Sequence, residues 1–296
     1  MSSVPATLSR YDTLHDMLEH LYRQYQTGYL DMDPLELVRQ YDDPKDQEIS
    51  AFIAAGLSIG QYELIRRAIQ SVLDHMRPSP YRYVQRFDPL KEGAAFRDFK
   101  YRFYRGRDIQ LLIWWIAQMI RRSGSIKGFF LNGYSASDPD IGMSLSRFVR
   151  AILKLPSMPV YPAPPPKGAG IRHFLADPMD GSGCKRLNLF LRWMVRKDAL
   201  DLGLWSEISK SKLVIPLDTH ITRLGRYLGL TERAAPGWNM AKEITQALRQ
   251  FDPADPVKYD FALCTLGKLT DCPNPPDRIR CRSCFLFQFC RQAAVE

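Results

Sequence analysis

Apolar residues recur at three- and four-residue spacing along most of the 296-residue chain, the period of helices that bury one stripe. Leu14, Met17, Leu18, Leu21, Tyr22 and Tyr25 predict a first helix, and Pro34 opens a short one through Leu35, Leu37 and Val38; both are expected to cap the core. After Asp43-Pro44-Lys45, with Asp46 as the expected cap, the run Ile49, Phe52, Ile53, Ala54 and Ala55 has almost no polar face. A helix apolar all round belongs at the centre of its domain. It breaks at Gly56-Leu57-Ser58-Ile59-Gly60-Gln61, and Leu64, Ile65, Ala68, Ile69, Val72 and Leu73 carry the next one. Leu111 to Ile120, with Trp114 and Trp115, reads as a core helix, and another ends at Arg150 after a polar link from Asn132 to Asp140. Prolines and glycines between Leu155 and Gly170 exclude regular structure, so an exposed connector is expected there. Helical runs resume at Ile171–Leu175, Leu187–Val195, Ile221–Leu228, Met240–Leu248 and Phe261–Leu266. Strand-like alternation is scarce and no repeat is evident, so the fold predicted is all-α.

Between Tyr81 and Arg107, eight aromatic rings interleave with arginines and lysines, Arg82, Arg86, Arg97, Lys100, Arg102, Arg105 and Arg107 among them. Phosphate contact with base stacking is one reading; a helix pair that buries its rings beneath extended arginines is the other, and it is preferred. The formal charge of +9 and pI near 9.3 favour a polyanionic partner without proving one. The longest apolar stretch, Leu111 to Ile120, is half a bilayer span and flanked by arginines, and no apolar leader is seen; a soluble, cytoplasmic and nucleoid-associated monomer is expected. Five of the six cysteines crowd the last 33 residues, which argues for metal or cluster ligation over a disulfide framework. Cys272-x8-Cys281-x2-Cys284-x5-Cys290 is compact enough to wrap an iron–sulfur cluster, whereas zinc sites more often pair two C-x2-C knuckles. Cys264 is expected to be a small buried apolar residue.

The chemistry centres on Gly181-Ser182-Gly183-Cys184-Lys185-Arg186, a glycine turn that opens a helix. Its backbone N–H groups should sit at the positive helix end and form an anion site. Lys185 falls in the first helical turn, where that field disfavours the protonated amine and makes a better nucleophile. Asp218, in Pro216-Leu217-Asp218-Thr219-His220, precedes a second helix whose field should keep it ionised; His220 has no ligand partner at helical spacing, so packing is expected of it.

These residues resemble the helix-hairpin-helix DNA glycosylase superfamily, with its Gly/Pro-rich loop and distal aspartate. Gly181, Gly183 and Lys185 match the hairpin glycines and lysine, and Asp218-Thr219-His220 matches the aspartate motif; Ala176 to Asp180 departs from the usual lead-in. The cysteine run resembles the [4Fe–4S] cassette of endonuclease III, with a longer first interval, while the Lys185-to-Asp218 spacing is closer to archaeal-type 8-oxoguanine glycosylases. The resemblance implies a two-domain fold with a C-terminal [4Fe–4S] loop: residues 46–218 as the central domain, and 1–45 with 219–296 as the other. It implies Lys185 as a Schiff-base nucleophile assisted by Asp218. Gly181, Ser182 and Gly183 would hold a phosphate, with a monovalent cation also expected at the hairpin. Gln61, or Ser58, would wedge into the duplex, Arg278 and Arg280 would grip phosphates, and Cys272, Cys281, Cys284 and Cys290 would ligate the cluster. The implied partner is double-stranded DNA with a damaged base, an oxidised purine first, or an abasic site. Phe190, Trp193 and residues 129–134 are candidates for the base pocket. A non-catalytic nucleic-acid-binding iron–sulfur protein, and a glycosylase using water activated by Asp218, are the alternatives.

Overall fold

The computed structural model describes residues 13–26, 28–29, 32–269, 272, 277–282, 284 and 286–294. In chain order the helices are α1 (Leu14–Tyr25), α2 (Leu35–Val38), α3 (Pro44–Leu57), α4 (Tyr62–His75), α5 (Pro80–Arg86) and α6 (Pro89–Glu92). A ribbon of β1 (Lys100–Tyr101) and β2 (Tyr104–Arg105) follows, then α7 (Gly106–Ser123), α8 (Ile126–Leu131) and α9 (Gly142–Leu153). The rest comprises α10 (Gly170–Phe174), α11 (Lys185–Val195), α12 (Thr219–Tyr227), α13 (Trp238–Arg249), α14 (Asp260–Leu269) and α15 (Arg278–Arg282). The fold is therefore mostly helical, as the periodicity predicts. No helix among the described residues is long and apolar enough to cross a membrane.

The apolar helix α3 occupies the centre, with Ile49 and the run from Ala51 to Ala55 fully buried. Helix α11 lies against it, Phe190 meeting Phe52 with ring centroids 5.0 Å apart, and α2 and α4 flank it. Even Glu48 of α3 is buried; its carboxylate accepts the N–H groups of Ile126 and Lys127 and Trp205 Nε1, each at 2.9 Å, and so caps α8. Helix α14 packs on both α1 and α12, which brings the two ends of the chain together. Buried side chains from all these elements join in one contiguous core.

Two local expectations are corrected. Asp43, not Asp46, caps α3 by accepting from Lys45 N at 2.9 Å, because Pro44 needs no N–H partner and its fixed φ suits the first helical position. Asp46 instead receives Ser79 Oγ and Tyr81 N, both at 2.7 Å, and ties α3 to α5. The aromatic and basic stretch is not a helix pair throughout: after α6 it turns into the antiparallel ribbon, pairing Lys100 with Arg105 and Tyr101 with Tyr104. Its rings at Tyr83, Phe87, Phe96 and Tyr104 are buried while the arginines stay exposed, as the preferred reading has it. The proline-rich connector has no regular structure and is pinned by Trp114 Nε1 to Met158 O and Gln118 Nε2 to Pro156 O, each at 2.9 Å.

Candidate active site

The hairpin is built by its supports. Asp108 of α7 accepts Ile171 N at 2.9 Å and fixes the start of α10. Asp177 receives Met179 N at 2.9 Å and Arg150 Nε at 2.7 Å, which sets the chain's entry into the turn. Gly181 has φ +83°, a region costly for any residue with a Cβ, and its carbonyl accepts Trp238 N at 3.0 Å, docking the turn on α13. The expected phosphate cradle changes in one respect: Gly181 N–H already donates to Pro178 O at 3.0 Å inside the turn. The N–H groups of Ser182 and Gly183 have no backbone acceptor among the described residues, so they are the donors left for an anion. The buried Cys184 thiol donates to Ala176 O at 3.2 Å, and burial pushes its pKa up to about 12. Arg186 does not face outward. Its guanidinium donates to Tyr104 Oη at 2.5 Å and to the His173 carbonyl, locking the start of α11 to the ribbon and to α10.

Lys185 is the first residue of α11 and Asp218 the N-cap of α12, and both line one cleft of about 1030 Å³. Lys185 Nζ lies 3.4 Å from the Ser58 carbonyl, in the turn between α3 and α4 that also borders the cleft. Asp218 is held at both oxygens: Oδ1 accepts Ile221 N at 2.7 Å and Oδ2 accepts Cys264 Sγ at 3.2 Å. Cys264 is thus no inert packing residue, which corrects the expectation; burial first, and Asp218 beside it, hold its pKa well above the ordinary value, so it remains a donor. Lys268, on the same helix, supplies a second amine to the cleft. Neither Cys264 nor Lys268 was singled out for chemistry by sequence, because both meet Asp218 only through the packing of α14 on α12.

Of the two candidate wedges, Ser58 is buried with its hydroxyl bonded to Ala54 O at 2.7 Å, which leaves Gln61, exposed immediately before α4. Phe190 and Trp193 are fully buried in the core, and residues 129–134 do not line the cleft; its apolar walls come from Met32, Ile59, Ile65, Leu189, Leu217 and Phe261. Leu189 was legible, since it lies one turn beyond Lys185 on the same helical face. His220 packs against Gly267, where an added Cβ would come within 2.9 Å of it, in keeping with a packing role.

Beneath the cleft lies a buried ionic network that sequence reasoning missed. Arg192 meets Asp33, Asp201 and Asp260 at 3.6, 3.2 and 2.5 Å. Arg196 meets Asp198 and Asp255 at 3.0 and 2.9 Å, and Asp201 as well. Burial pushes the Asp260 carboxyl up to about 6, Arg192 opposing the shift and Asp218 adding to it.

The four cassette cysteines share one neighbourhood: burial pushes the Cys284 thiol up to about 11, and Cys272, Cys290 and Cys281 each add to the shift. Backbone N–H groups of Cys284, Phe287 and Cys290 donate to the carbonyls three residues before them, at 2.9 to 3.1 Å. Among the described residues no three His, Cys, Asp or Glu side chains are arranged to hold a metal ion. The donor set of four thiols, Cys272 and Cys284 of them packed on the core, fits a cluster in composition. Arg280 is exposed and is not among the cleft residues, and the side chain of Arg278 lies outside the described residues.

The chain belongs to the family described as protein of unknown function DUF2400, which matches residues 33–269. That match contains Lys185, Asp218, Cys264 and Lys268 and ends before Cys272. No curated protein and no solved structure matches the chain.

Proposed function

We propose that the protein is a DNA base-excision glycosylase with an associated lyase activity at abasic sites. The observation that carries this reading is the meeting, in one cleft, of an amine at the start of α11 and a carboxylate at the start of α12, beside a glycine hairpin with two N–H groups left to bind an anion. The damaged nucleotide swings out of the duplex, because its glycosidic bond is unreachable in the stack. Lys185 Nζ bonds to the sugar C1′ as the bond from C1′ to the base breaks, the bonding pair leaving with the base. Asp218 takes the lysine proton and stabilises positive charge on the sugar. The C1′–O4′ bond then breaks, O4′ taking a proton as the nitrogen lone pair closes the C=N bond, and this Schiff base permits β-elimination of the 3′ phosphate. Gln61 fills the gap in the duplex. An oxidised purine is the first candidate base, on the likeness of the Lys185-to-Asp218 spacing to that of the archaeal-type 8-oxoguanine glycosylases.

In this reading residues 46–218 form one domain and the two ends of the chain the other, a grouping supported by α1 and α12 both packing on α14. Cys272, Cys281, Cys284 and Cys290 would hold a [4Fe–4S] cluster, whose contribution when bound is to close the C-terminal loop against the fold. Arg278 and Arg280 would then be presented to phosphates.

Borohydride reduction in the presence of abasic duplex tests the chemistry, since it makes a Schiff base permanent. Wild type should yield a covalent protein–DNA adduct and Lys185→Gln should yield none, while DNA affinity falls by no more than about 1 kcal/mol, the scale of one exposed ionic contact. Undiminished trapping in Lys185→Gln would move the nucleophile to Lys268. Base release without any adduct in wild type would favour water activated by Asp218, and the absence of both would leave a binding protein.

A further inference from the structure

Outside the cleft, the molecule carries a second groove of about 770 Å³ between α4 and the β1–β2 ribbon. One stripe of α4, Leu64, Arg67, Ser71 and His75, forms one wall at helical spacing, and Phe99 and Lys100 belong to the other. Arg67 and Lys100 are exposed and make no ion pair among the described residues, and Asp98 is the groove's one carboxylate there. Helix α4 buries its apolar stripe of Ile65, Ile69, Val72 and Leu73, so the groove stripe is not needed to hold the helix in place.

Arg102 joins this groove to the cleft, for it lines both. It stands at the ribbon's turn with φ +52°, a conformation that an arginine keeps only when its surroundings impose it. Here the ribbon is fastened by Tyr101 Oη donating to the Ile59 carbonyl, and the Arg102 guanidinium lies over Gly60, where an added Cβ would sit 2.6 Å from Nη2. The arginine is therefore held beside the same turn that presents Gln61.

We infer that the groove is a track for the sugar–phosphate backbone of the DNA beyond the flipped nucleotide, with Arg67, Lys100 and Arg102 on successive phosphates and Phe99 beside the strand. Cations alternating with an aromatic wall suit that polyanion and are independent of its sequence. The inference rests on the reading that the partner is DNA, but not on the role of Lys185.

The experiment is a salt titration of binding to a labelled abasic duplex, comparing wild type with Arg67→Ala/Lys100→Ala, both exposed positions. The double variant should show a slope of log affinity against log salt shallower by roughly 2, about 0.9 for each phosphate deprived of its cation. Adduct formation at saturating DNA should remain at the wild-type level. Of two duplexes, each cut short on a different side of the lesion, one should make the two proteins converge, because the track is then empty. A slope equal to wild type on the long duplex, or a defect that persists on both shortened duplexes, would overturn the inference. If wild type binds with the steep slope and the double variant with the shallow one while Lys185 forms no adduct, the track stands and the catalytic reading falls. Trapping by wild type with no slope change in the variant would keep the catalytic reading and overturn the track.

Discussion

At the residue scale, Asp218 carries two jobs on its two oxygens. Capping of α12 occupies Oδ1, while the thiol of Cys264 holds Oδ2, so the carboxylate facing the cleft is fixed in orientation from a neighbouring helix. A hydrogen bond to a charged group contributes about 1.5–3 kcal/mol. Cys264→Ala should therefore cost roughly tenfold or more in single-turnover base release, with DNA affinity unchanged, whereas Cys264→Ser keeps a donor and should restore most of the rate. Equal rates in the alanine and serine variants would show that the thiol does not position Asp218. The pair Lys185 and Asp218 was legible because each is marked locally, by a glycine turn and by a capping position. Cys264 was not, since its partner lies 46 residues away and nothing in its own neighbourhood differs from an ordinary buried cysteine.

At the scale of elements, α1 was readable to the residue while α7 extends several residues beyond the Leu111–Ile120 stretch at its start and three at its end, and the apolar α3 is buried at the centre, as its lack of a polar face predicts. The ribbon was not readable, because strands of two residues are too short to show alternation and the aromatic residues around them suit either state. The cassette is legible in the sequence only as a cysteine spacing, and its cluster is part of the proposed function. Its end is anchored by an ion pair between Arg291 and Glu232, just beyond α12, so closing the four thiols on a cluster would brace the helix that Asp218 begins. Protein purified without oxygen should accordingly contain about four iron atoms per chain with the absorption of a cluster. Cys284→Ser should lose the iron and lower the melting temperature. Full activity in a colourless, zinc-containing preparation would reject the cluster.

At the scale of the whole molecule, the network of Arg192 and Arg196 joins α11 to α14, to the segment before α2, and to the loops at Asp198–Asp201 and Asp255. In the sequence these arginines look like the solvated end of a helix and the aspartates are scattered, so only the tertiary fold reveals that one buried guanidinium serves three carboxylates. That ratio leaves burial dominant at Asp260, whose carboxyl rises to about 6 in the folded protein from about 3.9 in an unfolded chain. A carboxyl with a raised folded value binds its proton more tightly when folded. Its contribution to stability is complete below the unfolded value and is lost as pH climbs through the folded one. Asp260→Asn retains an acceptor for Arg192 but has no proton to lose. Compared with wild type, the variant should gain relative stability as pH rises from about 4 to about 6, by on the order of 3 kcal/mol, and the difference should then level off. Urea denaturation of both proteins across that range measures it. A difference independent of pH would mean that Asp260 is already ionised throughout, held by Arg192 alone, and the network would then act as a balanced structural clamp beneath the cleft.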